Sequence, residues 1–383
     1  MTERFRGSVG TACALSVCVG AFGLAGCDPV HQTNDQPRLI APDAVFAKMI
    51  QHSHRLNESD AQAWVSDVLS SLDTVGMVRT NESACAVMAV IEQESGYKVD
   101  PAVSGLSRLL ANKIKKMEEN IAVKLVLGIR LAQPMANGKT FREGIALVKT
   151  ERDLANWYTE FTAAKFTGPI LSQFGKGVDD VVGTVGSMQV SIDYARSVAT
   201  QLGQSSLNMR ETLYTRKGGV LFGTAHLFYY PTHYEQMLYR FADYNAGHYA
   251  SRNAGFQAMV AKLTAKPLSA DGDLINHSDA TPNAVSQTQA ALQQLFAKKA
   301  PNITVQTIAQ DLALEKTLAF EQSTTYRTVA QLYQQKYGAP IAQQIPKISL
   351  KSEKITRNLT TEWYANSVNR RYQQCLATAQ KST

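Results

Sequence analysis

The sequence lacks the signatures of several common enzyme classes. It contains no Gly-x-x-x-x-Gly-Lys phosphate loop, no His-Glu-x-x-His zinc motif and no Gly-x-Ser-x-Gly nucleophile elbow. His226, His233 and His248 lie close together in the sequence, but no cysteine or acidic ligand pattern accompanies them. We therefore predict packing or surface histidines, and we expect neither a metal nor a cofactor.

Patterns that predict β-strands are scarce, and the chain has neither internal repeats nor a low-complexity tract. Apolar residues make up 44% and charged residues 19% of the chain, which is typical of a folded protein. The sequence therefore predicts a mainly α-helical fold. Helical periodicity occurs in residues 41–76, 106–131, 151–166, 192–202 and 220–229.

No long transmembrane run stands near the N-terminus, but the first 26 residues resemble a lipoprotein signal peptide. Two arginines precede an uncharged stretch, residues 9–23, and residues 24–27 read Leu-Ala-Gly-Cys. Small residues before a cysteine suit signal peptidase II, which cuts ahead of a lipidated cysteine. We expect acyl chains on Cys27 that anchor the protein to a membrane, followed by a polar tether over residues 27–42. The alternative is an ordinary signal peptide in which Cys27 is incidental.

This signal predicts a periplasmic protein held at a membrane by lipid. Asp28, directly after the cysteine, suggests the inner membrane in enteric bacteria, but that sorting rule varies and the outer membrane stays open as an alternative. The formal charge of +7 suits anionic partners such as cell-wall polymers or phospholipid head groups. Nucleic acid would suit the charge as well, but export argues against it.

Cysteine is scarce, and most of it lies in the predicted signal. Three of the five cysteines fall within the first 27 residues, which leaves Cys85 and Cys375. An oxidising compartment permits a disulfide between these two, and two buried thiols are the alternative.

One predicted helix, residues 81–95, carries a glutamate on its apolar side, and Asn81 is its expected cap. With about 100° between successive residues, three apolar residues fall within about 60° of Glu94, whereas Glu92 falls on the far side. Desolvation and the negative end of the helix dipole would both raise the pKa of Glu94, as a general acid requires. The alternative is a structural glutamate paired with a buried lysine or arginine. The three apolar residues are Val87, Val90 and Ile91.

Four short motifs follow one another in a characteristic order. They are Ile-Glu-Gln-Glu-Ser-Gly-Tyr at 91–97, Gly-Ser-Met-Gln-Val-Ser at 186–191, Gly-Thr-Ala-His-Leu at 223–227 and Tyr-Asn-Ala-Gly at 244–247. Each is weak alone, because an ordinary helix end or turn would explain it. Together they resemble the lysozyme-like lytic transglycosylases, the superfamily of goose-type lysozyme and the soluble lytic transglycosylases, which cleave peptidoglycan glycan strands. The whole chain looks like a member of an uncharacterised family of proteobacterial lipoproteins with this motif set.

The resemblance implies a role for each matching residue. Glu94 matches the superfamily's sole catalytic acid and base. A glutamine of the second motif would hydrogen-bond sugar, a tyrosine of the last motif would orient Glu94, and the asparagine after it would lie in the cleft. The implied substrate-binding residues are Ser95, Met188, Gln189, Tyr244 and Asn245.

The chain departs from the superfamily's pattern in three ways. The segment between the first two motifs is far longer than in typical members, so residues 102–180 would form a helical insertion. Ser187 replaces a usual leucine, and Asp243 stands where a small apolar residue is commoner. Trp157, Tyr158 and Phe161 in the insertion would stack on sugar or, as the alternative, form a core cluster.

The fold expected from these observations is mainly α. It consists of a lysozyme-like core over residues 43–265, interrupted by the insertion at about 102–180, and a C-terminal helical extension over residues 266–383. The implied function is cleavage of the bond between N-acetylmuramic acid and N-acetylglucosamine with a 1,6-anhydro product. Two alternatives stay open: a non-catalytic peptidoglycan-binding lipoprotein, and a hydrolytic muramidase in which a carboxylate such as Asp243 activates water.

Overall fold

Helices dominate the computed structural model, which describes residues 40–163, 182–205, 208–278, 281, 284–350 and 359–381. Residues 39–383 form a unit of their own. The predicted signal peptide, Cys27, Asp28 and the tether up to residue 39 lie outside the described residues, as do residues 164–180 of the predicted insertion.

The prediction of a mainly α-helical fold is confirmed. No helix in the described ranges combines the length and apolarity needed to cross a membrane. The first half contains α1 (Asp43–His54), α2 (Glu58–Thr74), α3 (Asn81–Glu94), α4 (Leu106–Glu118), α5 (Ile121–Ala132), α6 (Phe141–Gly144), a 3₁₀ turn (Ile145–Leu147) and α7 (Glu151–Thr162). A hairpin of β1 (Thr184–Val185) and β2 (Val190–Ser191) leads into α8 (Ile192–Ala199), α9 (Met209–Leu213), α10 (Arg216–Phe228), α11 (Met237–Ala246) and α12 (Ala250–Thr264). The remainder contains α13 (Gln287–Lys299), α14 (Val305–Leu312), a 3₁₀ turn (Leu318–Gln322), α15 (Thr324–Tyr337), the antiparallel pair β3 (Ser349–Leu350) and β4 (Leu359–Thr360), and α16 (Thr361–Gln380).

The start of α3 is fixed by a reciprocal side-chain cap. Thr80 Oγ1 accepts a hydrogen bond from the Ser83 backbone N–H at 3.1 Å, and Ser83 Oγ accepts one from the Thr80 N–H at 2.9 Å. Asn81, the expected cap, is therefore the first helical residue. Its Oδ1 instead accepts a hydrogen bond from the Ala41 N–H at 2.8 Å, which ties the end of the predicted tether to the helix.

Two separate hydrophobic cores organise the described residues. The larger core contains buried side chains from α1 through α11, the hairpin β1–β2 and α16. The smaller core lies among α12, α13, α14 and α15. The predicted C-terminal extension therefore contributes to both cores, because α16 returns to the larger one. By its packing α12 belongs to the smaller core, although its sequence lies within the predicted 43–265 domain.

The described part of the predicted insertion is helical, and its aromatic residues are buried. Trp157 and Phe161 stack with ring centroids 4.7 Å apart, and Tyr158 is only 2% exposed. Trp157 Nε1 donates a hydrogen bond to the Phe141 carbonyl oxygen at 3.1 Å. These side chains pack the core and have no surface on which a sugar ring would stack.

Candidate functional site

Glu94 is the last residue of α3, a helix that is buried on all sides from Ser83 to Ile91. The three apolar residues predicted to share its side are fully buried, whereas Glu94 itself retains partial exposure. Burial raises the pKa of Glu94 to about 7, a hydrogen bond donated by Tyr364 opposes the increase, and the charge of Glu151 adds to it. The carboxyl group is therefore near the midpoint of its titration at neutral pH.

Glu92 lies on the opposite side of the same helix. Its carboxylate forms an ion pair with Arg371, at 3.3 Å from Nε, and lies 3.8 Å from His54 Nε2. These three residues line a cavity of about 150 Å³ together with Cys375. The two glutamates therefore have different partners, an ion pair with Arg371 for Glu92 and a hydrogen bond from Tyr364 for Glu94.

The Gly-Ser-Met-Gln motif forms the turn of the hairpin β1–β2. Gly186 has a φ of +80°, and a Cβ there would collide with the carbonyl oxygen of Leu213, so the turn requires glycine. Gln189 ends the turn with a φ of +51°, a left-handed conformation that non-glycine residues seldom adopt. Met188 is fully buried against Gly223 of α10, where any Cβ would collide with its side chain. The second and third motifs are therefore complementary in shape.

Tyr244, near the end of α11, connects the last motif to the hairpin. Its hydroxyl donates a hydrogen bond to the Met188 carbonyl oxygen at 2.6 Å. Burial raises the pKa of Tyr244, and the neighbouring charge of Glu94 raises it further. The sequence predicts that Tyr244 orients Glu94, but the hydroxyl that donates to Glu94 belongs to Tyr364. Tyr244 instead holds the hairpin turn beside the glutamate.

Two further residues expected to bind sugar make contacts within the protein. Ser95 is only 9% exposed, and its hydroxyl donates to the Ile91 carbonyl oxygen at 3.0 Å, which stabilises the end of α3. Asn245 is partly exposed, and its Oδ1 accepts a hydrogen bond from Thr361 Oγ1 at 2.9 Å. Asn245 is thereby the better placed of the two to contact a ligand.

Gln189 contacts a second acid that the sequence reasoning missed. Its Nε2 donates to Glu151 Oε2 at 3.1 Å and to the Gly186 carbonyl oxygen at 3.2 Å. Glu151 is the first residue of α7 and is 2% exposed, so its carboxylate lies at the positive end of a helix dipole. An acidic first residue is common in helices, and this made Glu151 inconspicuous in the sequence.

The C-terminal helix α16 supplies most of the missed contacts, because its residues 364–375 run antiparallel to residues 85–94 of α3. Its buried residues recur at helical spacing. This pattern indicates that one face of α16 is buried, but it does not identify the helix against which that face packs. The disulfide left open by the sequence is present, with the two Cα atoms 5.6 Å apart. From the end of α3 backwards, the pairs are Tyr364 with Glu94, Ser367 with Gln93, Arg371 with Glu92, and Cys375 with Cys85.

The contacts between α3 and α16 and those of the hairpin fall within a region shared with other proteins. A family described as "Protein of unknown function (DUF1615)" matches residues 57–378, which include α3, the hairpin, α11 and the disulfide. The chain belongs to the DUF1615 family. It is 34% identical over 359 residues to the uncharacterized protein YaiW of Escherichia coli (strain K12), and the match covers 92% of this chain and 95% of YaiW. No solved structure matches the chain.

This DUF1615 protein has another buried carboxylate, Asp243, which precedes the last motif. Asp243 is fully buried, and burial raises its pKa to about 6 against the opposing effect of its hydrogen bonds. Oδ1 accepts the Ser251 N–H at 2.6 Å, and Oδ2 accepts the Tyr249 N–H at 3.0 Å and the hydroxyls of Tyr234 at 2.8 Å and Tyr230 at 3.3 Å. The side chain thus satisfies backbone donors at the start of α12, where a helix has none of its own acceptors.

Two of the three clustered histidines pack behind Tyr244. The rings of His226 and His248 stack 4.7 Å apart, and His226 Nε2 lies 3.2 Å from the Tyr244 carbonyl oxygen. Burial lowers the pKa of His226 to about 3 and that of His248 to about 4, so both are neutral near pH 7. His233 is separate from them and contacts Glu321 at 2.8 Å.

Proposed function

We propose that the protein is a lytic transglycosylase with a lysozyme-like core, which cleaves the β-1,4 bond between N-acetylmuramic acid and N-acetylglucosamine in peptidoglycan. The observation that carries this proposal is the state of Glu94, which is partly exposed, has a pKa of about 7 and is close to residues of the other motifs. Protonation of a glycosidic oxygen needs a carboxyl group that keeps its proton near neutral pH.

Glu94 would act first as an acid and then as a base. Protonated Glu94 donates its proton to the glycosidic oxygen while the bond from that oxygen to muramic C1 breaks. The 2-acetamido group of the muramic sugar stabilises the positive charge at C1, so no carboxylate nucleophile is needed. Ionised Glu94 then accepts the proton of the muramic C6 hydroxyl, whose oxygen bonds to C1. The products are a 1,6-anhydro end and a free C4 hydroxyl, and Glu94 is protonated again.

The surrounding residues support this assignment. The Tyr364 hydroxyl fixes one oxygen of Glu94, which orients the carboxyl group. Asn245 is partly exposed and, in the described contacts, engages only its Oδ1, so its amide N–H groups remain donors for a sugar. Gln189 would contact sugar from the hairpin turn, where its bond to Glu151 fixes its amide.

The hydrolytic alternative needs a second carboxylate that activates water, and Asp243 was the candidate for that role. Asp243 is fully buried, and both of its oxygens accept hydrogen bonds from the protein, so it has no position from which to activate water. A non-catalytic peptidoglycan-binding lipoprotein would use the same exposed residues and is an outcome of the experiment below.

The proposed location is the periplasm, with a lipid anchor on Cys27 at the inner membrane, as Asp28 suggests, or at the outer membrane. The substitution Cys27→Ala should leave unprocessed precursor and abolish the incorporation of labelled palmitate. Normal maturation of that variant to the same mobility would contradict the anchor without bearing on the glycan cleavage.

The direct test is digestion of purified sacculi by protein that begins at residue 39, with the products identified by mass spectrometry. We expect 1,6-anhydromuropeptides, lighter by one water than hydrolytic products, from the wild type and from Glu92→Gln but not from Glu94→Gln. Reducing-end N-acetylmuramic acid as the main product would support a muramidase. Binding to sacculi without soluble product would support the non-catalytic alternative.

A further inference from the structure

Helix α5 is apolar on two opposite sides, and only one of them is covered. One triplet of residues, a helical turn apart, is at most 4% exposed and packs in the larger core. A second triplet with the same spacing, Ile121, Leu125 and Ile129, is 87%, 71% and 59% exposed, and we term it the α5 stripe. The centres of the two triplets are about 200° apart around the helix. The buried triplet is Val123, Leu127 and Leu131.

The α5 stripe differs from the other exposed apolar residues of the described chain. Val78, Val285 and Val305 are also more than half exposed, but they lie on three separate parts of the chain. Single exposed apolar residues are normal on soluble proteins, whereas a row of three on one helix face indicates a surface that contacts something apolar.

The segment that carries the stripe is strongly basic. Residues 106–142 contain eight lysines and arginines against two glutamates, so they carry +6 of the chain's formal +7. One of the two glutamates, Glu118, is engaged in an ion pair with Arg142 at 2.8 Å. Helix α5 contains no acidic residue, and exposed Lys124 directly precedes Leu125. Apolar side chains flanked by lysine and arginine are typical of a helix that binds an anionic lipid surface.

The dimensions of the stripe favour lipid over a second protein. A stable protein interface buries about 800 Å² on each partner, and three side chains on one helix face form a much narrower strip. Helix α5 has 12 residues, or about 18 Å of helix, and a bilayer core of about 30 Å is too thick for it to cross. A helix of this kind lies in the plane of the membrane.

We propose that the α5 stripe is a membrane-interface surface that inserts into the head-group region of an anionic lipid leaflet. Helix α5 then lies parallel to the membrane, with its buried triplet holding it to the protein and Lys124 among the lipid phosphates. This surface depends neither on glycan cleavage nor on acylation of Cys27, so each is tested separately.

The test uses protein that begins at residue 39, because both cores and the disulfide lie within the described residues from 40 onward. Sedimentation with vesicles of mixed zwitterionic and anionic phospholipid should recover the wild type, and purely zwitterionic vesicles should recover much less. The triple substitution of the α5 stripe by serine should weaken binding at least tenfold. The matched control, Val78, Val285 and Val305 all changed to serine, should bind within about twofold of the wild type. All substituted residues are exposed, so we expect the variants to fold. Thermal unfolding like that of the wild type would verify this.

A second measurement locates the contact. A polarity-sensitive fluorophore on Leu125→Cys should shift its emission to shorter wavelength when anionic vesicles are added, and the same label on Val305→Cys should not. Only the introduced thiol reacts, because Cys85 and Cys375 are bonded to each other. Absence of vesicle binding by the wild type, or equal binding by the two triple variants, would overturn the proposal. If the wild type forms a dimer that the α5 substitutions dissociate, and does not bind vesicles, the stripe would be a contact with a second copy. That result would also overturn the proposal.

Discussion

Burial is the main cause that raises the pKa of Glu94 to about 7 and the pKa of Asp243 to about 6, and these two carboxyl groups lie in a motif or directly beside one. Asp243 has no exposed surface and accepts four hydrogen bonds from the protein. Glu94 keeps partial exposure, and its described hydrogen bond comes from Tyr364. The two groups thus resemble each other in their pKa and differ in their access and in their unused hydrogen-bonding capacity.

The comparison teaches that a raised pKa does not by itself identify an acid catalyst. Asp243 accepts hydrogen bonds from backbone N–H groups at the start of α12, so its carboxyl group stabilises the fold. Glu94 has capacity left for a substrate, and its proton is near the midpoint of exchange at neutral pH. Accessibility and free lone pairs, rather than the pKa alone, are the reasons for which the proposed function places the acid at Glu94 and not at Asp243.

The largest effect should come from Glu94→Gln, which keeps the shape but removes the exchangeable proton. Positioned acid–base groups contribute about 10²–10⁴-fold to a rate, and in the proposed mechanism one group performs both steps, so the loss should reach about 10⁴-fold. Muropeptide release from sacculi measures it. Glu92→Gln is the matched control on the opposite side of α3 and should stay within a few-fold of the wild type. Inactivity of the Glu92 variant alone would mean that the wrong glutamate has been assigned.

Asp243→Asn should act on stability instead. The asparagine amide would turn an N–H group towards N–H or O–H groups that now donate to the carboxylate. Because these buried donors would lose their acceptor, the free energy of unfolding should fall by about 2–4 kcal/mol. Chemical denaturation measures this change. The variant that remains folded should release muropeptides at nearly the wild-type rate per folded molecule. A stable but inactive Asp243→Asn protein would give Asp243 a catalytic role and break the comparison.

The pH dependence of stability should distinguish Glu94 from the glutamine that replaces it. The folded pKa of about 7 lies above the ordinary value of 4.5, so the folded protein binds this proton more tightly than the unfolded chain does. Glu94 therefore contributes a loss of stability of at most about 3 kcal/mol as pH rises from about 4.5 through 7. Glu94→Gln lacks this contribution but keeps that of Asp243, so the two proteins differ by the Glu94 part alone. Thermal unfolding at pH 4.5 and pH 8 measures this difference. The stability of the variant relative to the wild type should be higher at pH 8 than at pH 4.5.

The smallest change in rate is expected when Tyr364 or Tyr244 is replaced by phenylalanine, and the two variants should differ in their pH dependence. Tyr364 donates to Glu94 and lowers its pKa, so Tyr364→Phe should shift the alkaline limb of the pH–rate profile upward and reduce the neutral rate by about tenfold or less. Tyr244 donates to the Met188 carbonyl oxygen, so Tyr244→Phe should lower the rate a few-fold without moving that limb. A shift with Tyr244→Phe and none with Tyr364→Phe would show that the wrong tyrosine has been assigned.

Local patterns in the sequence predicted the helical fold class, and they located the motifs that meet at the hairpin. A helical wheel and a turn motif depend on neighbouring residues, so they can be read without knowing the rest of the fold. The shape match of Met188 with Gly223 follows from two such motifs.

The remaining features depend on packing between distant segments. The pattern of α16 indicates a buried face, but periodicity does not say that the face covers α3 or that Tyr364 reaches Glu94. Asp243 is only an unusual residue in its motif until the fold brings Ser251 and two tyrosines around it. The division into two cores escaped prediction for the same reason, since the pattern of a helix does not say which core it packs in.

The antiparallel pairing of α3 with α16 sets an order of assembly during synthesis. Ribosomes make the chain from its N-terminus, so Glu94 emerges 270 residues before Tyr364, and Cys85 emerges 290 residues before Cys375. For most of translation the glutamate lacks its hydrogen-bond partner, and the thiol of Cys85 lacks its own. A chain that stops before residue 361 loses the partners of Glu94, Asn245 and Cys85 together. The hydrogen bond to Glu94 and the disulfide of Cys85 can therefore form only after α16 has been synthesised.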